Sequence, residues 1–227
     1  MEDGKVMNKL NIFYEDNHLI VVEKEPNILS QADSTNDIDM VTLVKNYIKE
    51  KYNKPGNVYL GLVHRLDRPV GGLMVFAKTS KAAARLSKQI SNHTFKKTYL
   101  AVVRGKLLKE KGTYIDYLKK LDNGNSIVTS EKNGKLSELS YKVLDYNRAN
   151  DTTLVSINLK TGRHHQIRVQ FSSRGYPLCG DQRYGKNDHT QIALYAYKIE
   201  FQHPITKATM NFQNLSIKNE YLSKFTL

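Results

Sequence analysis

The sequence predicts an α+β fold: one domain in which a mixed, mainly antiparallel central sheet is flanked by helices, with a cleft across the sheet. Three observations carry this. Strand-type runs follow one another with few helical stripes between them, which argues against the regular alternation of a doubly wound sheet. Residues 112 to 160 alternate repeatedly between apolar and polar, as antiparallel strands with one covered face do. No Pro-, Gly- or Ser-rich linker divides the 227 residues. A chain of that length typically buries roughly 70% of its unfolded surface, so it needs neither disulfide nor metal to hold it.

The elements follow in order. "LNIFYEDNHLIVVEKE", from Leu10, has β-rich ends around Asp16, Asn17 and His18, which predicts a hairpin. Asp39 is placed to cap a helix running through Lys51, because Met40, Val41, Val44, Tyr47 and Ile48 form one apolar stripe. Val58 to Val63 and Leu73 to Ala77 read as buried strands. Ser80 is expected to cap a second helix, with Ala83, Leu86, Ser87 and Ile90 at helical spacing. "TYLAVVRG" is a strand ending at Gly105, and the segments "LSYKVLDY" and "TLVSINL" belong to an antiparallel meander. "GRHHQIRVQFSSRG" predicts a helix over 163–174, stopped by Gly175. "ALYAYKIEF" and "ATMNFQNL" return to strand, and "NEYLSKF" closes the chain as a short helix.

Composition narrows the setting. Cys179 is the single cysteine, so no internal bridge and no CxxC metal pair can form. The N-terminus lacks a basic segment followed by an apolar one, and no apolar run approaches membrane length. A reducing, cytoplasmic location is expected. Charge is unevenly placed: residues 1–50 carry 5 Lys and Arg against 10 Asp and Glu, while residues 51–227 carry 30 against 12. The densest stretch, Lys78 to Lys111, sets ten basic residues against Glu110 alone. Such a surface fits a polyanionic partner, nucleic acid being the commonest; a merely lysine-rich solvated surface would give the same count.

The stretch "GLVHRLDRPVGGL", residues 61 to 73, places Asp67 between Arg65 and Arg68, with His64 just upstream. Its flanks read as buried strand, so the carboxylate is expected in the floor of the fold, where it needs a partner or a chemical task. A second puzzle lies at 163–174. Arg163, His164 and His165 crowd the predicted helix N-terminus, where the macrodipole disfavours positive charge by ~0.3–1 kcal/mol each. Either an anion sits there, or both histidines are neutral. Arg168, at the edge of the face defined by Ile167 and Phe171, is expected half buried and paired with Asp67.

Other motifs fail. "GDQRYGKN" matches phosphate-loop spacing up to Lys186, but Asn187 stands where Ser or Thr should bind magnesium, and the segment follows a helix and turn. The seven histidines show no metal-ligand spacing, so no metal is expected. No GxSxG elbow occurs, and a zinc base deaminase would need a cysteine pair.

The blocks "HRLDRPVGGLMVFAKT", "FKKTYLAVVRG" and "GRHHQIRVQFSSRGYPLCGDQRYG" resemble, in order and separation, the signature blocks of the RluA-type RNA pseudouridine synthases. The similarity spans nearly the whole chain from about Leu10. It implies that Asp67 is the catalytic aspartate, that Tyr99 lies against the target base, and that Arg168 pairs with the aspartate. Ile167 would line the base pocket and Arg65 would fill the gap left by the flipped nucleotide. His64, Arg163, His165 and Gln166 are expected on the RNA.

The implied activity is isomerisation of uridine to pseudouridine in ribosomal or transfer RNA, by a monomer without metal or cofactor. Neither DNA nor a membrane is an expected partner. One ionised carboxylate can serve at C1′ or C2′, whereas glycosidases need two carboxylates in complementary states. Residues 1–9 would be a tail and 10–227 the catalytic domain, with no S4 RNA-binding domain ahead. The chain departs from the family at Val70 and Gly71, where Thr-Ser is usual, at His164, where Thr is usual, and in "EKEPNILSQAD", which keeps a trace of a KPxG segment. The competing expectations are a catalytically silent RNA-binding protein on the same scaffold and a base-excision glycosylase, which would release free base.

Overall fold

The alternation of residue types along the strands determines which face each side chain covers. The computed structural model describes residues 10–185 and 189–226; the expected tail, residues 1–9, and Lys186 and Asn187 of the phosphate-loop-like stretch lie outside them. Chain order is β1 (Ile12–Glu15), β2 (Leu19–Lys24), α1 (Met40–Lys51), β3 (Gly61–Leu62), β4 (Gly71–Ala77), α2 (Ser80–Ser91) and β5 (Lys96–Arg104). Then come β6 (Lys111–Lys120), β7 (Ser126–Thr129), β8 (Lys135–Asn147), β9 (Thr152–Leu159), α3 (Gln166–Ser172), β10 (Leu194–Gln202) and β11 (Thr209–Gln213). The closing "NEYLSKF" supplies only a short 3-10 turn, Leu222–Lys224.

The strands form one open sheet in the order β1-β2-β4-β10-β5-β9-β8-β6-β7, with β11 added on β10 and β3 on β4. The β10–β4 pair is parallel and the other pairs are antiparallel. This is the mixed, mainly antiparallel α+β sheet that the sequence predicts. Along β2, Ile20 and Val22 join one core with Met40, Val44 and Ile48 of α1 and with Ile167 and Phe171 of α3. The alternate residues Leu19 and Val21 join a second core with Ala82 and Leu86 of α2. Both faces of β4 are covered, so every one of its residues is buried. Two helices therefore cover one face and the third covers the other.

Local signals set the boundaries. Asp39 caps α1 as expected, accepting from the Thr42 N–H. The second cap is Thr79 rather than Ser80: its side chain accepts from the Ala82 N–H, and Ser80 is already helical. The strand expected over Val58 to Val63 shrinks to Gly61–Leu62, paired only with Phe76 and Ala77 at the end of β4. The stretch 112–160 is no simple meander, because β8 pairs with β6 and β9 while β7 lies outside β6 at the sheet edge.

Where β4 runs beside β10, a Cβ on Gly72 would meet the Ala196 carbonyl oxygen at 2.4 Å, and its φ of +134° suits glycine alone. The helix expected over 163–174 begins only at Gln166. His165 sits at φ +54°, outside the right-handed helical region, and turns the chain into α3.

Candidate active site

The segment between β3 and β4 carries Asp67 as a loop, held from several sides. Ser30 Oγ donates to the Leu66 carbonyl at 2.8 Å and accepts from the Leu66 N–H at 3.0 Å. Lys24 Nζ donates to the Arg68 carbonyl at 2.9 Å, and the Asn27 N–H does so at 2.8 Å. Gln191 donates to the Pro69 carbonyl. The "EKEPNILSQAD" segment thus frames the loop with both backbone and side chain. Burial and the nearby Arg68 weaken the Lys24 charge while Asp67 supports it; burial dominates and pushes the ammonium pKa down to about 7.

Held this way, Asp67 is not in the floor of the fold as expected. Its side chain is 29% exposed in the wall of a cleft of about 1410 Å³. The loop leaves the β4 ladder before Asp67, so the residue escapes the burial of its flanks.

The opposite wall comes from α3 and its approach. Arg168 NH1 lies 3.5 Å from Asp67 Oδ2, and His165 Nε2 lies 3.7 Å from the same oxygen. Neither contact is a hydrogen bond. The strong partner of Arg168 is Asp181, which accepts from Nε at 2.9 Å and from NH2 at 2.7 Å. Asp181 is fully buried and also accepts the backbone N–H groups of Arg183 and Tyr184. Burial works against the Arg168 charge, but Asp181 outweighs it and raises the guanidinium pKa. The expected Asp67–Arg168 pair therefore exists as the looser arm of an Asp67–Arg168–Asp181 arrangement.

The two histidines before α3 serve the loop rather than a helix terminus. His165 Nδ1 is 2.7 Å from the Tyr184 hydroxyl, which also accepts from the Ser126 N–H at 2.7 Å. His164 Nδ1 is 2.9 Å from Ser126 Oγ, and the two imidazoles lie against each other, tilted by 30°, with centroids 3.7 Å apart. Burial, with Arg168 next, holds the His165 pKa at about 2; burial also lowers that of His164. Both rings are neutral near pH 7, so they add no charge against the dipole. Gln166, expected on the RNA, is buried: its amide oxygen accepts from Thr161 Oγ1 and the Arg163 N–H, and its amide nitrogen donates to the Glu138 carbonyl.

Tyr99, on β5, and Ile167, on α3, both line the cleft and are 5% and 4% exposed. Burial, with Asp67 second, pushes the Tyr99 phenol up, so it stays neutral. Arg65 is exposed on the rim, and Arg163 lines the cleft while donating to the Leu136 carbonyl. His64 lines it too, buried behind the loop. Among the described residues, eight Lys and Arg side chains line the cleft against Asp33 and Asp67. They come from scattered segments. Of the ten basic residues from Lys78 to Lys111 only Lys97 contributes, and Lys78 is paired with Glu15 at 2.7 Å.

Sequence reading missed Asp181 and Tyr184. The one available signal was a charged residue directly after the apolar "PLCG" run, which calls for a buried partner.

A broad cleft lined by eight cationic side chains and two carboxylates, Asp33 and Asp67, suits a large anionic ligand. The family model described as RNA pseudouridylate synthase matches residues 18–173. The chain is 35% identical to the uncharacterized RNA pseudouridine synthase YhcT of Bacillus subtilis, over 87% of this chain and 66% of that protein. It is 34% identical to YjbO of the same organism, covering 89% and 71%. With ribosomal large subunit pseudouridine synthase D of Nitrosomonas europaea it shares 33% identity, covering 86% and 58%. The chain thus belongs to the RNA pseudouridylate synthase family and is of the RluA type. It spans about two thirds or less of the length of YhcT and of synthase D. The human RNA Pseudouridylate Synthase Domain Containing 4 has the same fold, with a TM-score of 0.76 at 18% identity over 94% of this chain and 90% of that one.

Proposed function

We propose that this chain isomerises uridine to pseudouridine in ribosomal RNA, with Asp67 as the catalytic carboxylate. The observation that carries the reading is the state of Asp67. Asp181 already compensates Arg168 with two short hydrogen bonds, so Asp67 is not needed to neutralise it. A carboxylate left partly open, without a side-chain hydrogen bond among the described residues and with a cation 3.5 Å away, is available for chemistry. That argues against a silent RNA-binding scaffold, which would have no use for such an arrangement.

In the reaction the N1–C1′ bond breaks, the uracil rotates and C5 bonds to C1′, while the C5 proton leaves to solvent and N1 gains one. The carboxylate acts at the ribose, by attack at C1′ or by taking the C2′ proton; both routes require it ionised. The Arg168 guanidinium faces the carboxylate from 3.5 Å. Tyr99 offers a face for the flipped base, Ile167 an apolar wall, and Arg65 on the rim a group to fill the vacated stack, together offsetting an unstacking cost of a few kcal/mol.

The name of one relative, ribosomal large subunit pseudouridine synthase D, favours large-subunit ribosomal RNA over transfer RNA. The test is tritium release from C5-labelled uridine in ribosomal RNA and in transfer RNA, with and without EDTA. Release from ribosomal RNA, unaffected by EDTA, is expected. Free uracil among the products would identify a glycosylase, and no release from either RNA would overturn the reading.

A further inference from the structure

Two donors among the residues lining the cleft have no acceptor among the described residues, and the charge of one acts on the other. Lys97, on β5 two residues before Tyr99, lines the cleft, yet it makes no hydrogen bond or ion pair there. Its ammonium sits beneath the 160–165 loop, where a Cβ added to Gly162 would lie 3.5 Å from Nζ. Burial alone accounts for its lowered pKa, with no carboxylate to oppose it.

His64 is 8% exposed, and its Nε2 accepts from the Val75 N–H at 3.1 Å. Burial holds its pKa at about 3, and the Lys97 charge adds to that effect, so the ring is neutral. A neutral ring whose Nε2 accepts must carry its proton on Nδ1. That Nδ1–H is buried and has no partner.

An unpaired ammonium and an orphaned N–H in one cleft both oppose folding. Their complement is one anionic oxygen group. We infer that Lys97 and the His64 Nδ1–H form a subsite for a backbone phosphate of the RNA strand beside the target nucleotide. The assignment to RNA rests on the proposed function; the donor pair itself calls only for phosphate oxygen. Neutral His64 contributes direction and Lys97 the charge. Because β5 also carries Tyr99, the phosphate would be registered against the base that Tyr99 faces.

The experiment measures RNA binding and melting for the wild type, Lys97→Gln and Lys97→Arg. Lys97→Gln should raise the RNA Kd roughly tenfold and reduce the log–log salt slope by about 0.7. Lys97→Arg should keep the slope. Lys97→Gln should melt at or above the wild-type temperature, since it removes a charge with no partner; a lower Tm would mean that Lys97 is structural and would overturn the subsite.

Replacing RNA phosphates one at a time by methylphosphonate should reveal a single position where the wild type loses affinity and Lys97→Gln loses none further. Additive losses at every position would also overturn the subsite. Inorganic phosphate is the second arm: if it binds the wild type tightly and Lys97→Gln weakly while the RNA slopes are equal, the donors serve a free anion and the RNA subsite is wrong. The same RNA is assayed for pseudouridine. Product with unchanged slopes sinks the subsite alone; a changed slope without product sinks the catalytic reading and leaves the subsite standing.

Discussion

Arg168 is held by Asp181, through two hydrogen bonds of 2.9 and 2.7 Å, and reaches Asp67 only with its third nitrogen, at 3.5 Å. The arginine is thus compensated before substrate arrives. This separates two questions that a single Asp67–Arg168 pair would have merged: what keeps the fold together and what does chemistry.

The first expected outcome concerns Asp67→Asn. A buried arginine stripped of its sole counterion would cost ~3–5 kcal/mol, but here Asp181 remains. Asp67→Asn should therefore melt close to the wild type, bind RNA within a few-fold, and yield no detectable pseudouridine. A variant that still turns over would show that Asp67 is not the catalytic carboxylate.

Asp181→Ala should behave in the opposite order. It leaves Arg168 and the N–H groups of Arg183 and Tyr184 without their buried acceptor, so the loss of stability should be ~3–5 kcal/mol by urea unfolding. The freed guanidinium would also close on Asp67, so turnover should fall even at temperatures where the variant is folded. Arg168→Lys keeps a charge but loses the planar fork that spans Asp181 and Asp67, and its turnover should fall as well. Wild-type stability in Asp181→Ala would refute this account.

How far these relationships were legible depends on their range. The cap of α1 is local, Asp39 to the Thr42 N–H, and the sequence reading placed it correctly. The stretch Leu73 to Ala77 reads as a buried strand, and every residue of β4 is buried. Alternation assigns faces but not neighbours, however, so residues 112–160 read as a simple meander although β8 pairs past β7 with β6. The start of α3 was placed too early because a residue at positive φ, His165, leaves no mark in an amphipathic pattern. Asp181 was hidden for a related reason. It reaches Arg168 only because Gly180, at φ +71°, turns the chain so tightly that a Cβ there would stand 2.4 Å from the Gln191 carbonyl oxygen.

The third outcome concerns pH. His64 and His165 have folded pKa values of about 3 and about 2, below the ordinary histidine value of 6.5. As pH falls through 6.5 the unfolded chain takes up protons that the folded protein refuses, so stability should decline below that pH; for buried His64 the slope approaches ~1.4 kcal/mol per pH unit. Carbon shifts of the imidazole rings should show at least two histidines that do not titrate between pH 8 and 5. Ring signals of His64 and His165 moving with midpoints near 6.5 would contradict this account of the pH dependence.

The last outcome lies at the far end of the sheet, where Glu15 ties β1 to the end of α1 and the end of β4. Its carboxylate accepts from Lys51 and Lys78 at 2.7 Å each and from the hydroxyls of Tyr47 and Tyr52 at 2.9 Å each. Burial alone would raise its pKa, but these four donors outweigh it and hold the group at about 2, against an ordinary 4.5. A depressed carboxylate stabilises the fold fully above its unfolded value and loses that contribution as pH falls toward the folded one. Glu15→Gln keeps the shape and removes the charge. The gap in melting temperature between wild type and Glu15→Gln should be widest above pH 5 and should narrow steadily toward pH 2. A gap independent of pH would mean that packing of the side chain, rather than its charge, holds this corner together.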